Sequence, residues 1–480
     1  MLELVDSWNE LYERSLPENL AKIDQVPGVV LGFHATIDGV KAVRPAELAK
    51  ILAEDEALRK EVLDRLGQVP LEINSPADLV IGLLDSMQKG KALQLMIRSE
   101  ETFNWTMDKF GYDRLRIGGT SGNMANYLAP LGFAKILVYA NPLTKEQAEL
   151  FIDKPNLFVL VEEDGKFVLK PPRKAYEGEG VYAVHWIFEY PTDLKVKIPG
   201  LELTTPRANR YIAAWNPINN RLQVREDFKR GLLDRAADFS HFVISGFHIL
   251  SENYPDGSTY RECLLPVADY LGQLKEAAPH LKQHYEFASI ASPKIRQGIV
   301  DLILPHVDSL GLNEVELCAL LRNIGRASLA EDIEAQDTIQ AVLAGLVALM
   351  EHTKLNRIHL HDLGYYLCLQ QKGFVPPKQT RAGLLLAATL AAARSLTGRI
   401  DDKADIKEGL GVDLSPRGLS RLQALAAHLE ADQGFLTEGI ASYGPYDLVF
   451  IPTKIVPKPV LTVGLGDIIS SSAFIIGTME

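Results

Sequence analysis

The segment TVGLGDIISSSAF, residues 462–474, sets an aspartate after two glycines and before an apolar, helix-forming run. A glycine turn lets backbone approach a ligand closely, and a helix N-terminus presents unpaired N–H groups to an anion. Asp467 placed there could act as a base beside a phosphate, or it could be the N-cap of an ordinary strand–turn–helix corner. Comparable groups recur in the chain. GFHATIDGV (32–40) places Asp38 just past an apolar run, and RIGGTSGNMAN (116–126) is a glycine turn that opens a helix. HYE (284–286) and NEVE (313–316) contribute the carboxylates Glu286 and Glu316. Carboxylates brought together without lysines suit Mg²⁺, which takes oxygen ligands and keeps several waters. Glycine corners beside such carboxylates suit phosphoryl transfer, with one aspartate accepting the proton of an attacking hydroxyl. Each piece also has a purely structural reading: Asp38 as a turn residue, His284 with Glu286 as a surface strand pair, Asn313 with Glu316 as a capping box. Their joint appearance favours a site.

The elements that must position these groups alternate. Apolar, β-rich runs at 28–33, 134–140, 156–163, 242–247, 284–290, 309–313, 357–362 and 448–453 are separated by helical patterns such as 258–278, 314–322 and 337–353. This predicts an α/β domain with a mostly parallel central sheet covered by helices, whose ligands bind beyond the carboxyl ends of the strands. Most of the unusual polar residues fall at those ends. Two stretches break the rhythm and read as a smaller inserted α/β domain. The expected division is 1–37, 116–159 and 225–480 for the large domain and 38–115 with 160–224 for the small one, forming a hinged cleft.

The 480 residues carry a formal net charge of −12 with no lysine- or arginine-rich block, which argues against a nucleic-acid-binding protein. Three scattered cysteines lack metal-ligand spacing and read as buried free thiols. The N-terminus reads as an amphipathic acidic helix rather than a signal peptide, and no apolar stretch is long enough to span a bilayer. A cytoplasmic, membrane-free protein is expected, with a monomer as the preferred state.

Taken in order, GFHATIDGV, GGTSGNMAN, HWIFEY, PRANRYIAAW, ISGFHIL, HYEFAS, SLGLNEVEL, RIHLHDLGYYL, FIPTKIV and TVGLGDIISSSAF resemble the ADP-dependent glucokinase/phosphofructokinase family, a branch of the ribokinase-like fold. The resemblance runs nearly end to end and is nearer to the archaeal glucokinases. It implies a large α/β/α nucleotide domain, a small sugar-binding lid, ADP as phosphoryl donor, AMP as product and Mg²⁺ as cofactor. By the same resemblance Asp467 matches the catalytic base, and the N–H groups of Gly464, Leu465 and Gly466 match its anion hole. Glu286 and Glu316, with Asp467, match the metal-holding positions. Asp38, Gly118 and Gly119 match sugar-binding positions, as do His34, Gln94 and His185. Arg210, Thr462, Val463, Gly464 and the Tyr365 region match nucleotide-binding ones.

The acceptor sugar divides the family. Phosphofructokinase-like members carry a lysine where this chain has Ala183, and glucokinase-like members carry a histidine matching His185. Against this, Gln94 stands where glucokinases have a glutamate, and His34, Thr36 and Thr120 depart from the usual residues. Glucose is the favoured acceptor. Fructose 6-phosphate, or both sugars, is the alternative. A non-catalytic binding protein of the same fold would have little reason to keep Asp467, Glu286 and Glu316 together, and an ATP-dependent ribokinase-like kinase would not share HYEFAS, GLNEVEL and RIHLHDLGYYL.

Overall fold

The computed structural model describes residues 2–180, 183–217, 219–460 and 464–479. Its strands, in chain order, begin with β1 (Val29–Gly32), β2 (Thr36–Ala42), β3 (Leu93–Met96), β4 (Arg114–Gly118), β5 (Ile136–Val138) and β6 (Leu157–Glu163). There follow β7 (Lys166–Lys170), β8 (Val184–Tyr190), β9 (Lys195–Ile198), β10 (Leu201–Thr204), β11 (Asn209–Trp215) and β12 (His241–Ile244). The last six are β13 (Lys282–Glu286), β14 (Ser309–Leu312), β15 (Arg357–Asp362), β16 (Tyr365–Gln371), β17 (Ile440–Tyr443) and β18 (Tyr446–Pro452).

Among the described residues the large sheet has eleven strands in the order β17-β18-β16-β15-β14-β13-β12-β1-β5-β6-β7. From β15 to β6 every pairing is parallel. Those strands are mostly short, and all but β6 are almost wholly buried, as strands covered on both faces must be. Alternate residues of β1 and β5 enter different cores. Val30 and Leu137 pack with helical residues such as Leu271 and Leu346, whereas Val29, Leu31, Ile136 and Val138 pack with Met124, Ile468 and Ile475. Helices therefore cover both faces. The edges depart from the parallel expectation: β16, β18 and β17 pair antiparallel, as does β7 with β6. Asp164 and Gly165, both at positive φ (48° and 71°), close the β6–β7 hairpin, a favoured two-residue turn.

A separate sheet of five strands runs β3-β11-β8-β2-β4, with β9 and β10 as a hairpin beside it. Its own core holds Trp186, Phe188, Tyr211 and Leu84. Sheet membership departs from the expected division at three places, the first being β2, which joins the small sheet from Thr36. β6 and β7, through Lys170, belong to the large sheet, and β4 with Arg116 and Gly118 belongs to the small one. The half-exposed alternation of an edge hairpin resembles that of the small sheet, which is why sequence pattern put 160–170 there.

The N-terminal helix Leu2–Ile23 buries Leu4, Trp8, Leu11, Tyr12 and Leu16 along one stripe, as its amphipathic pattern predicts. Cys318 and Cys368 are buried free thiols, but Cys263 is only half-buried. Among the described residues no helix is long and apolar enough to cross a membrane.

Candidate active site

Gly464 takes a left-handed φ of 74° and starts the C-terminal helix Leu465–Gly477. A Cβ there would press on the Tyr127 ring at 2.9 Å, so both the conformation and the close approach need glycine. Asp467 is the third residue of this helix, and its side chain does not cap it. The N-cap alternative is thereby removed. The carboxylate instead accepts a hydrogen bond from Asn123 Nδ2 at 3.1 Å. Burial, and then the charge of Glu286, push the Asp467 carboxyl well above its ordinary value, and Asn123 and His361 act against that rise. Asp467 is a carboxylate made more basic next to N–H groups that the first helical turn leaves without intrahelical acceptors.

Glu286 ends β13 beside that corner. A Cβ on Gly466 would lie 3.6 Å from His361 and 3.9 Å from Glu286 Oε1, so the glycine turn abuts both. His361 Nε2 lies 3.1 Å from Glu286 Oε1. Burial raises the Glu286 carboxyl, but His361 and His284 outweigh it and hold it at about 2. Its Oε2 is buried with no hydrogen-bond partner among the described residues. Glu316 forms a reciprocal capping box with Asn313: Glu316 N donates to Asn313 Oδ1 (3.0 Å) and Asn313 N to Glu316 Oε2 (2.9 Å). The capping reading of NEVE is thus real, and it leaves one carboxylate oxygen over. Burial and the neighbouring Glu286 raise the Glu316 carboxyl to about 8.

Asp38 lies on β2 of the small sheet, buried, with Oδ2 accepting from Arg116 Nη2 (3.2 Å) and Nε (3.3 Å). Burial lifts its carboxyl to about 6 against the pull of Arg116 and Arg210. Gly118 faces Thr36 across β2–β4, and a Cβ on it would sit 1.8 Å from Asp38 Oδ1. Gly119, at φ 73°, would clash with the His34 carbonyl at 2.5 Å. Both glycines exist to let Asp38 and the start of the Thr120–Leu128 helix come this close. Arg210 on β11 has its charge disfavoured mainly by burial and by Arg116, and it feels the fields of Glu189, Asp38 and Asp467. Its guanidinium has no hydrogen-bond partner among the described residues.

Asp38 pairs in register with His185 on β8. The His185 ring lies 5.4 Å from that of His34, which lies 4.8 Å from that of His248. Burial depresses all three: His185 to about 3, His248 to about 4, and His34 well below its ordinary value. Among the described residues His34 Nδ1 and Nε2, His185 Nε2 and His248 Nδ1 are buried without partners. Gln94 and Met96 of β3 line a cleft of about 840 Å³ together with Arg98 and His248.

Three calls fare differently. Tyr365 is fully buried, stacked on Phe450 at 5.3 Å, with its hydroxyl donating to Glu314 at 3.3 Å. Its side chain has no accessible surface to offer a nucleotide, and the aromatic run it sits in is core strand. Thr462 and Val463 lie outside the described residues. Among the described residues no group of three or more His, Cys, Asp or Glu side chains is arranged to hold a metal ion by itself. Asn123, Arg116, His248 and His361 were not assigned roles from sequence. Of these only His361 left a signal there, at the end of a strand beside His359.

A family model described as the ADP-specific phosphofructokinase/glucokinase conserved region matches residues 27–476. The chain is 35% identical over 472 residues to an ADP-dependent glucose/glucosamine kinase of Pyrococcus abyssi, covering 98% of each. It is 32% identical over 481 residues to an ADP-specific phosphofructokinase of Methanosarcina acetivorans, covering 98% of this chain and 97% of that one. Among solved structures, an ADP-dependent kinase in complex with fructose 6-phosphate and ADPβS superposes with a TM-score of 0.85 at 33% identity, covering 98% of both chains.

Proposed function

The chain belongs to the ADP-specific phosphofructokinase/glucokinase family, and on that premise we propose that it transfers the β-phosphoryl group of ADP to the 6-hydroxyl of glucose, releasing AMP. ADP-dependent phosphorylation of a hexose or hexose phosphate is the common ground of its relatives. The observation that carries the glucose reading is the set of buried, neutral imidazoles of His34, His185 and His248, whose unpaired nitrogens suit hydroxyl groups. A neutral imidazole offers one donor and one acceptor. It offers no charge to a phosphate dianion.

In this reading Asp38, held by Arg116, orients two sugar hydroxyls from the lid side. Asp467 takes the proton of the 6-hydroxyl as its oxygen attacks phosphorus, and the bond from phosphorus to the AMP oxygen breaks. Asn123 fixes the carboxylate's orientation. The N–H groups at the head of the C-terminal helix, with Arg210 from the lid, stabilise charge on the transferred group. A lid that excludes water would also keep ADP from simple hydrolysis.

The residues fit Mg²⁺. Glu286 keeps a buried oxygen with no hydrogen-bond partner among the described residues, and its negative charge disfavours ionisation of Glu316, which a cation would relieve. Glu286 and Glu316 would hold the ion with waters and phosphate oxygens completing its sphere, as magnesium prefers. When bound, it would neutralise charge on the ADP phosphates.

One observation favours fructose 6-phosphate as a second acceptor: Arg98 lines the same cleft as Gln94 and His248. It is held by Glu72 at 2.7 Å and by Ser251. The test is an AMP-release assay crossing ADP and ATP with glucose and fructose 6-phosphate. AMP formed with ADP and glucose supports the reading. AMP formed only with fructose 6-phosphate moves the acceptor to the second reading, and none with either sugar overturns the kinase.

A further inference from the structure

Under the C-terminal helix, His284 on β13, Ser309 on β14 and Arg357 on β15 stand side by side in register. All three are fully buried, as is Ser470 on the helix above them. Arg357 Nη1 donates to Ser309 Oγ at 2.9 Å, Ser309 Oγ lies 2.9 Å from His284 Nδ1, and His284 Nε2 lies 2.8 Å from Ser470 Oγ. His284 Nε2 also stands 3.8 Å from Glu286 Oε2. The imidazole is stacked on Phe474 at 4.6 Å, which fixes the ring plane. A Cβ on Gly311 would lie 2.1 Å from Ser470 Oγ, 2.2 Å from Glu286 Oε2 and 2.9 Å from His284 Nε2, so these three groups crowd around the one residue that leaves them room.

We propose that Arg357 and Ser309 are positioning residues that lock His284 in the tautomer with its proton on Nε2, so that a fixed N–H faces the catalytic helix and Glu286. A guanidinium only donates, and a serine hydroxyl has one hydrogen. Among the described residues the partners of Ser309 Oγ are Arg357 and His284 alone. Arg357 offers no acceptor, so His284 Nδ1 is the one described acceptor for the Ser309 hydrogen, and the Glu286 carboxylate oxygen 3.8 Å from Nε2 favours the ring proton on that nitrogen. The ring proton is then on Nε2, directed at Ser470 Oγ and leaning toward Glu286 Oε2. Arg357 has no carboxylate partner among the described residues, and its Nε and Nη2 are unpartnered. A buried cation without a counter-ion is costly. Anchoring this chain of hydrogen bonds gives it a role. The relay reaches Ser470, one helical turn beyond Asp467, and the carboxylate of Glu286, so it sets the relative position of both.

The inference rests on the roles proposed for Asp467 and Glu286, and its test separates the two questions. Full-length protein labelled with ¹⁵N-histidine, the His284 signals assigned from a His284→Gln sample, reports which ring nitrogen carries the proton. The parent should show a single tautomer protonated on Nε2, and Ser309→Ala should show a mixture. In the same variant the Mg²⁺ concentration for half-maximal initial rate should rise about 10- to 100-fold, the usual cost of removing support behind a metal-holding group, while the KM for sugar stays put. A parent ring protonated on Nδ1 overturns the relay even if the enzyme proves to have another activity. A Ser309→Ala protein with the parent's tautomer, or with the parent's Mg²⁺ dependence, overturns it too.

Discussion

Asn123 Nδ2 donates to Asp467 Oδ2 at 3.1 Å, joining the helix that follows the Gly118–Gly119 corner to the helix that begins at Gly464. Two glycine turns from opposite ends of the sequence thus meet through one amide and one carboxylate. Asp38 of the small sheet is near enough that its charge raises the Asp467 carboxyl further. Base, sugar anchor and anion-binding backbone are assembled by contacts that no local stretch of sequence contains.

Replacing the base is the first expectation. Asp467→Asn keeps the shape and a partner for Asn123 but cannot take a proton, so turnover should fall by about 10²–10⁴-fold with ADP affinity little changed. Steady-state kinetics beside calorimetric ADP binding checks this, and near-parent kcat would remove Asp467 from the chemistry.

Asn123→Ala should act through pH. The Asn123 hydrogen bond favours the ionised carboxylate, so its loss raises the Asp467 carboxyl further above its already elevated position. A base must be unprotonated to work, so the acid limb of kcat/KM should move to higher pH. Hydrogen bonds to charged groups are worth about 1.5–3 kcal/mol, so the rate at neutral pH should fall by roughly tenfold or more. A profile that keeps its shape while dropping uniformly would mean that Asn123 matters only for folding.

Much of this site could be read in the sequence, for a physical reason. Strand ends and glycine corners are local features, so Asp38, Gly118, Gly119, Glu286 and Asp467 stood out by their place after apolar runs or in glycine turns, and the structure puts Asp38 and Glu286 both within electrostatic reach of Asp467. Asn123 did not stand out because an asparagine inside a helix carries no local mark. His34, His185 and His248 come from three separate stretches of the chain, and only folding brings their rings together. Tyr365 misled because a buried strand aromatic and a base-stacking one look the same in a sequence. The edge strands β7 and β17 were missed or misplaced because an antiparallel edge lacks the apolar run that marks a buried parallel strand.

Gly118→Ala should impair the sugar site selectively. The added methyl would fall on the Asp38 carboxylate, at 1.8 Å from Oδ1. Asp38 must turn away and loosen its contacts with Arg116. The KM for sugar should rise at least tenfold while the KM for ADP is held, and equal losses in both would point to a general collapse of the small sheet.

Glu316→Gln tests the buried carboxyl pair by pH. In the fold the Glu316 carboxyl sits at about 8, against an ordinary 4.5, so the folded state holds its proton more tightly than the unfolded chain does. The stability this gives is fully present below the unfolded value and is lost as pH rises toward about 8. Glutamine keeps the capping oxygen and never ionises. The variant should therefore gain melting temperature relative to the parent as pH rises across that window. Adding Mg²⁺ should close the gap by stabilising the parent, and initial rates should need more Mg²⁺ in the variant. A difference in melting temperature that does not change with pH would mean that Glu316 ionises in the fold as freely as in water.

Sugar choice should be movable in opposite directions from two positions. Gln94 shares the cleft with Arg98 and His248, and Ala183 lies beside β2, where its carbonyl accepts from Ile37 N at 3.2 Å, two residues before His185. Gln94→Glu adds a charged acceptor for sugar hydroxyls and a partner for Arg98, so kcat/KM for glucose should rise while fructose 6-phosphate is repelled. Ala183→Lys adds a cation among neutral imidazoles, so the phosphorylated sugar should gain. A charge-assisted hydrogen bond is worth about 1.5–3 kcal/mol, which corresponds to roughly ten- to a hundredfold in selectivity. Arg98→Met separates the two acceptors further: it should leave glucose turnover near the parent's and abolish whatever fructose 6-phosphate activity the parent has. Kinetics of the three variants on both sugars decide the matter. If Gln94→Glu lowers glucose kcat/KM and raises that for fructose 6-phosphate, Gln94 faces away from the hydroxyls and the cleft binds its sugar in another orientation.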